Sequence, residues 1–329
     1  MKTITVERHP GCAFSAFRKS AAMMRILGRG YLNVGTSAGI KGMSFYVEGQ
    51  CFGVDADMGR ALSAVIFADD RPVNFQIVNP KDRFTALKDA TIDIGLYNAS
   101  KTLTRELEND VVFPVVTLID GEGILTNIDK ANTRFAEWES PKVAVQDGTT
   151  SDANIARYRA GKPTIIEVFE TLSEAIDALV LGKVDGVVFD TIGLAGALSE
   201  IEHADRFVIL PERISRELMG PVVPLGDPIF SRLIEWTFAA LVRAAELGVT
   251  TDGLKVGALS EVQSNFLRTG LPIWAHDPLA EERLRALIRA TGNSDEIYHR
   301  NLGQGSSLDL PQGLNASSTS GGIFHPAPI

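Results

Sequence analysis

Short runs rich in β-branched residues alternate with stretches of helical periodicity, and they do so in two successive series. Parallel strands need a crossover long enough to hold a helix, so this alternation is the mark of βαβ units built on mainly parallel sheets. In the first series residues 32–36, 73–78 and 92–96 read as strands and 54–67 and 83–88 as helices. In the second, 143–146, 164–169, 186–189 and 207–210 read as strands and 151–158 and 172–181 as helices. The apolar run at 112–118 carries Pro114 and is too short for a buried helix, so it reads as an extended crossover.

Beyond residue 222 the pattern turns to helices alone, at 228–247, 261–268, 279–291 and 294–301. A tail without strands must pack on a sheet already built, and the first series supplies one. The chain therefore crosses between two lobes twice, near 113–119 and 214–222, which makes a hinge. The expected division is an N-terminal extension at 1–24, a first lobe from 25–115 and 218–329, and a second lobe from 116–217. With 329 residues the chain is long enough for two cores. Residues 317–329, rich in Ser, Gly and Pro, read as surface loop.

A hydrophobic fraction of 45% and a charged fraction of 22% are those of an ordinary globular protein. The formal net charge of -9, with no basic block, argues against nucleic acid and anionic membrane surfaces as partners. No run approaches the roughly 18 to 20 apolar residues of a membrane span, so no membrane insertion is expected. Residues 1–29 hold no apolar core of the length a signal peptide needs. A cytoplasmic location is the expectation, or a periplasmic one if the true start lies elsewhere or export is non-standard. Cys12 and Cys51 lack metal-ligand neighbours and read as free thiols, and the five histidines show no ligand spacing. Neither a metal nor a cofactor is expected.

The segment LYNASKTLTRE at 96–106 follows a strand and so sits where ligands bind in open α/β sheets. Ser100 and Thr102 supply hydroxyls there, and Arg105 can fork both oxygens of a carboxylate, unless it is a solvated arginine. At 146–151, QDGTTS puts a glycine and hydroxyls between a strand and a helix start, where backbone N–H groups favour an anion. Thr149 or Thr150 can instead be a plain N-cap. A third segment, GKVDGVVFDT at 182–191, ends an apolar strand in Asp190, which needs either a cation or a helix N-terminus to cap.

The phrases LNVG at 32–35, GVDADM at 53–58, KDRFTAL at 81–87, NASKTLTR at 98–105, VQDGTT at 145–150 and GKVDGVVFD at 182–190 occur in that order. Together with LPE at 210–212, GPVV at 220–223, ELGVT at 246–250 and YHRNLG at 298–303, this series resembles the family 3 solute-binding proteins of polar amino acid ABC transporters. The similarity runs from about residue 25 to the C-terminus and points to the general L-amino-acid-binding branch. It implies a type II periplasmic-binding-protein clamshell with the ligand held between the lobes. It also implies that Arg105 and Ser100 meet the ligand carboxylate, with a backbone contact from Asn98 and second-lobe anion contacts from Gly148, Thr149 and Thr150. Asp190 falls on the position of the ammonium-binding aspartate.

Two residues depart from the branch: Lys101 stands where an aromatic residue is usual, and Lys41 sits in a loop that normally lines the cleft with apolar groups. The resemblance implies binding of a free L-amino acid for delivery to an ABC permease. The alternatives are a cytosolic lyase or dehydratase on the same fold, with Lys101, Lys41 or Asp82 as general base or acid once desolvated, and a soluble amino-acid sensor. Residue types do not identify the amino acid, because selectivity is set by cleft residues from several loops.

Overall fold

The computed structural model describes residues 19–37, 39–69 and 72–326. Helix α1, Ala21–Arg29, opens the first lobe, and the Ser20 hydroxyl accepts the Met23 N–H at 3.1 Å. Ala22, Met23 and Ile26 are buried in the first-lobe core, so residues 21–24 belong to that lobe and not to the extension expected at 1–24. Residues 1–18 of that extension, with Cys12 and His9, lie outside the described residues, as do 327–329 of the expected loop.

Strand β1, Leu32–Thr36, is buried along its whole length. A hairpin, β2 Phe45–Val47 and β3 Gln50–Phe52, follows and turns on Glu48 and Gly49, both at positive φ. The sequence gives little warning of this turn, because glutamate rarely occupies the left-handed region. Next come α2 Val54–Phe67, β4 Val73–Ile77, α3 Arg83–Lys88, β5 Ile94–Gly95 and α4 Leu103–Asn109. Strand β1 is the middle of a three-stranded parallel sheet of order β4-β1-β5. The C-terminal ends of β4 and β5 lead into α3 and α4, which therefore begin on the same edge of the sheet.

The chain leaves this lobe through β6 Val111–Val112 and β7 Leu118–Asp120. The second lobe comprises β8 Glu122–Asn127, β9 Lys142–Gln146, α5 Ser151–Tyr158, β10 Ile165–Phe169, α6 Leu172–Val180, β11 Gly186–Asp190, α7 Thr191–Leu198 and β12 Phe207–Ile209. Its five strands run β10-β9-β11-β8-β12, with β8 antiparallel to both of its neighbours. The return passes through β13 Glu217–Met219, paired antiparallel with β7, and β14 Val223–Pro224, paired with β6. The two crossings run so close that a Cβ on Gly220 would lie 2.1 Å from the Val115 carbonyl oxygen, which is why glycine stands there.

Five helices complete the first lobe: α8 Pro228–Glu246, α9 Thr251–Val256, α10 Glu261–Thr269, α11 Ala280–Thr291 and α12 Ser294–Asn301. Leu233, Ile234, Leu241, Leu284, Leu287 and Ile288 join Leu62 and Val65 in one core, so the helical tail packs on the first lobe. Arg283 of α11 locks the contact. Its Nη1 donates to the carbonyls of Val65 and Ile66 at 2.6 and 2.7 Å, satisfying the open C-terminal end of α2, and its Nε donates to Asp277 at 2.7 Å. The architecture is the type II periplasmic-binding-protein clamshell. Cys51 is buried and free, and among the described residues no helix is long and apolar enough to cross a membrane.

Candidate ligand site between the lobes

A cavity of about 610 Å³ lies between the lobes, lined by Ser37, Asn98, Ser100 and Arg105 from the first and by Thr149, Thr150, Phe189 and Asp190 from the second. That volume falls in the range of small-molecule pockets. Arg105 is placed by the start of a helix and Asp190 by the end of a strand.

Arg105 lies in the first turn of α4, behind Thr102, whose hydroxyl accepts the Arg105 N–H at 3.2 Å. Thr102 thus caps the helix and does not line the cavity, so its contribution is to hold the turn that carries the arginine. Thr102→Ala is expected to lower unfolding stability by about 1 kcal/mol in denaturant titration. Arg105 itself donates from Nη1 to the Ser100 carbonyl at 2.8 Å, which fixes the guanidinium across the floor of the cleft. Burial lowers its pKa, opposed by the nearby carboxylates of Glu217, Asp190 and Glu122.

Asp190 ends β11 immediately before α7, yet its side chain does not cap that helix. Asp120 takes the role, accepting the Ile192 N–H at 2.9 Å and the Thr191 hydroxyl. Asp190 is thereby released to face the cleft, where it accepts a hydrogen bond from Asn98 Nδ2 across the lobes at 3.1 Å. Asn98 sits at φ 46°, a conformation asparagine tolerates, and its Oδ1 accepts from Ser37 Oγ at 2.8 Å, which orients the amide toward Asp190. Burial raises the Asp190 carboxyl well above the usual range, and Asp120, Glu122 and Glu217 push it further. Such a group calls for a cation.

The second-lobe turn presents two threonine hydroxyls to the cleft at the start of α5. Thr149 Oγ1 donates back to the Gln146 carbonyl at 2.7 Å, while the Thr150 hydroxyl makes no capping bond and both residues line the cavity at the start of α5. Gly148 lies just outside the lining, at φ 70°, and a Cβ there would come within 3.2 Å of Pro80 and Lys81 of the first lobe. Glycine is what allows the lobes to meet at this point.

The other three residues named from the sequence are placed away from the head of the cleft. Lys101 turns outward, its Nζ donating to the Phe113 carbonyl at 3.2 Å and lying 3.7 Å from Glu106, because the α4 cap directs it to the hinge side. Asp82 precedes α3 on the exposed surface, outside the lining. Lys41 does border the cavity, where it pairs with Glu200 across the lobes.

Two lining residues were not among the contacts expected from the sequence. Arg83, the first residue of α3, is 5% exposed and donates from Nη2 to the Gly148 carbonyl at 3.2 Å. Burial and the neighbouring Arg105 lower its pKa to about 10. The placement of α3 after β4 repeats that of α4 after β5, and this was the available clue. Glu122, at the start of β8, accepts from the Ser151 hydroxyl and from Asn154 Nδ2 at 2.9 Å, and burial raises it to about 7.

No protein-family model matches the chain. It is 31% identical over 341 residues to the general L-amino acid-binding periplasmic protein AapJ of Rhizobium johnstonii, covering 100% of both chains. It is 31% identical over 307 residues to the glutamate/glutamine/aspartate/asparagine-binding protein BztA of Rhodobacter capsulatus, covering 92% of this chain and 91% of that one. Among solved structures, an ABC transporter periplasmic binding protein from Brucella ovis with glutathione bound superposes with a TM-score of 0.85 at 30% identity, covering 93% of this chain and 98% of the other.

Proposed function

This chain belongs to the amino-acid-binding proteins of ABC transporters, and on that premise we propose that its cleft closes on one free L-amino acid held by both ends of the zwitterion. The observation that carries the reading is that Asp190 is spared from capping α7 and faces the same cavity as Arg105. The ligand ammonium supplies the cation that Asp190 lacks. The ligand carboxylate takes the Arg105 fork, the Ser100 hydroxyl and the N–H end of α5 at Thr149 and Thr150.

These contacts come from opposite lobes, so a bound amino acid bridges the hinge and favours closure by as much as it prefers the closed form. The closed protein then docks to an ABC permease and releases the ligand unchanged. The neighbour's glutathione, which also carries an α-amino acid head, is compatible with the same grip.

Delivery to an importer requires the protein to meet its ligand outside the cytoplasmic membrane. Osmotic-shock fractionation of the source cells checks this: release with the periplasmic fraction supports delivery, and retention in the cytosol supports a sensor or an enzyme. Incubation with amino acids separates those two, since an enzyme yields a new mass or free ammonia.

A further inference from the structure

The motif GVDADM at 53–58 sets two acids in the first turn of α2, and the two have different fates. Asp57 is paired: its Oδ2 accepts from Arg300 Nη2 at 2.6 Å and from Asn301 Nδ2 at 2.7 Å, which ties α12 to α2. Asp55 is 8% exposed, and its Oδ2 has no hydrogen-bond partner among the described residues. What its carboxyl does accept is the backbone N–H of Asn98, just beyond β5. Burial raises the carboxyl to about 7, and the hydrogen bond from Asn98 opposes the rise. An acid that served only the N-terminus of α2 could do so from the surface, so its burial needs another reason.

Asn98 needs such a hold. Its φ of 46° lies in the left-handed region, and its neighbours Tyr97 and Ala99 are buried, so its N–H must find a partner inside the protein. From this conformation its Oδ1 accepts from Ser37 Oγ and its Nδ2 donates across the lobes to Asp190 at 3.1 Å. We infer that Asp55 is a positioning residue for ligand binding, holding the Asn98 backbone so that the Asn98 amide meets Asp190 when the cleft shuts. The inference rests on Asp190 being the partner of the ligand ammonium. A carboxylate accepts several hydrogen bonds, so the Asn98 amide and the ammonium share Asp190 without competing. Asp55 does not line the ligand cavity and acts on the ligand only through Asn98. Without the acceptor, Asn98 is free to leave the left-handed region, and its amide swings off Asp190.

The test is a double-mutant cycle read by calorimetric titration with the L-amino acid that the wild type binds most tightly. Asp55→Leu removes the acceptor at similar shape and is expected to weaken binding about 5- to 20-fold. Asp55→Asn keeps an acceptor oxygen and is expected to stay within about threefold of the wild type. In an Asn98→Gly background glycine holds the left-handed turn unaided and the amide is gone, so Asp55→Leu is expected to change affinity by less than about twofold. The same factor in both backgrounds overturns the proposal, because it places the effect in the fold and not in Asn98. Wild-type affinity in Asp55→Leu overturns it too. Hydrogen exchange of the ligand-free wild type needs no leucine variant to fold: the Asn98 amide is expected to be protected, and exchange at the rate of an open chain overturns the contact. Failure of the wild type to bind any free L-amino acid sinks the zwitterion grip and this proposal together, whereas the other contrary results leave the grip standing.

Discussion

Arg105→Ala is expected to weaken amino-acid binding by about 2–5 kcal/mol, roughly 30-fold to several thousandfold, measured by calorimetric titration. The loss is large because the ligand carboxylate would enter a closed cleft with its main charge partner missing. Arg105→Lys keeps the charge but loses the planar fork, so an intermediate affinity is expected. Folding is expected to survive, since the side chain is held by a single hydrogen bond to the Ser100 carbonyl, and thermal unfolding of the ligand-free variant checks this. Unchanged affinity in Arg105→Ala would remove this residue from the site.

Asp190→Asn is expected to produce a loss of similar size, with a distinctive pH dependence. The Asp190 carboxyl is raised in the folded protein by burial and by Asp120, Glu122 and Glu217. For a group raised on folding, the stabilising contribution is full below its unfolded pKa and is lost as pH rises through its folded pKa. The ligand-free wild type should therefore lose stability toward neutral and alkaline pH. Asp190→Asn should be the more stable of the two at high pH and differ little from it at low pH. Glu122, raised to about 7, acts in the same sense between its ordinary value of 4.5 and neutrality, and it remains in both proteins as a common background.

Ligand binding inverts the Asp190 effect, because an adjacent ammonium favours the ionised carboxylate. The thermal shift given by a bound amino acid should then grow as pH rises in the wild type and lose most of that growth in Asp190→Asn. Unfolding temperatures measured across pH with and without ligand resolve the two contributions. A shift independent of pH in both proteins would contradict a buried, initially uncompensated Asp190.

The parts of this architecture legible in the sequence are those with a period or a stop signal. Alternation of β-branched runs and helical stretches located both series, and helix 54–67 begins and ends where the apolar pattern does. Arg105 and Asp190 were accessible because one opens the helix that follows a strand and the other ends a strand, where a charge must be solvated, paired or used. The β2–β3 hairpin was not legible, since its turn places Glu48 in a conformation that glutamate seldom adopts. Nor was the facing of single charges in loops. Lys101, the residue before an N-cap, points away from the cleft, and Arg83, likewise at a helix start, points in. Only the packing of α3 against the Gly148 turn and of α4 against the hinge separates those two fates. The assignment of Asp120 as the α7 cap was hidden too, because Asp120 lies some 70 residues earlier in the chain.

The grip on a zwitterion is tested most directly by titrating the protein with the proteinogenic L-amino acid that it binds most tightly, and then with that compound's α-amide and N-acetyl derivatives. The amide removes the carboxylate offered to Arg105 and the acetyl group removes the ammonium offered to Asp190, with the side chain untouched. Each blocked form is expected to bind at least about 100-fold more weakly than the free amino acid. Equal binding of either blocked form would contradict the account at that end of the ligand.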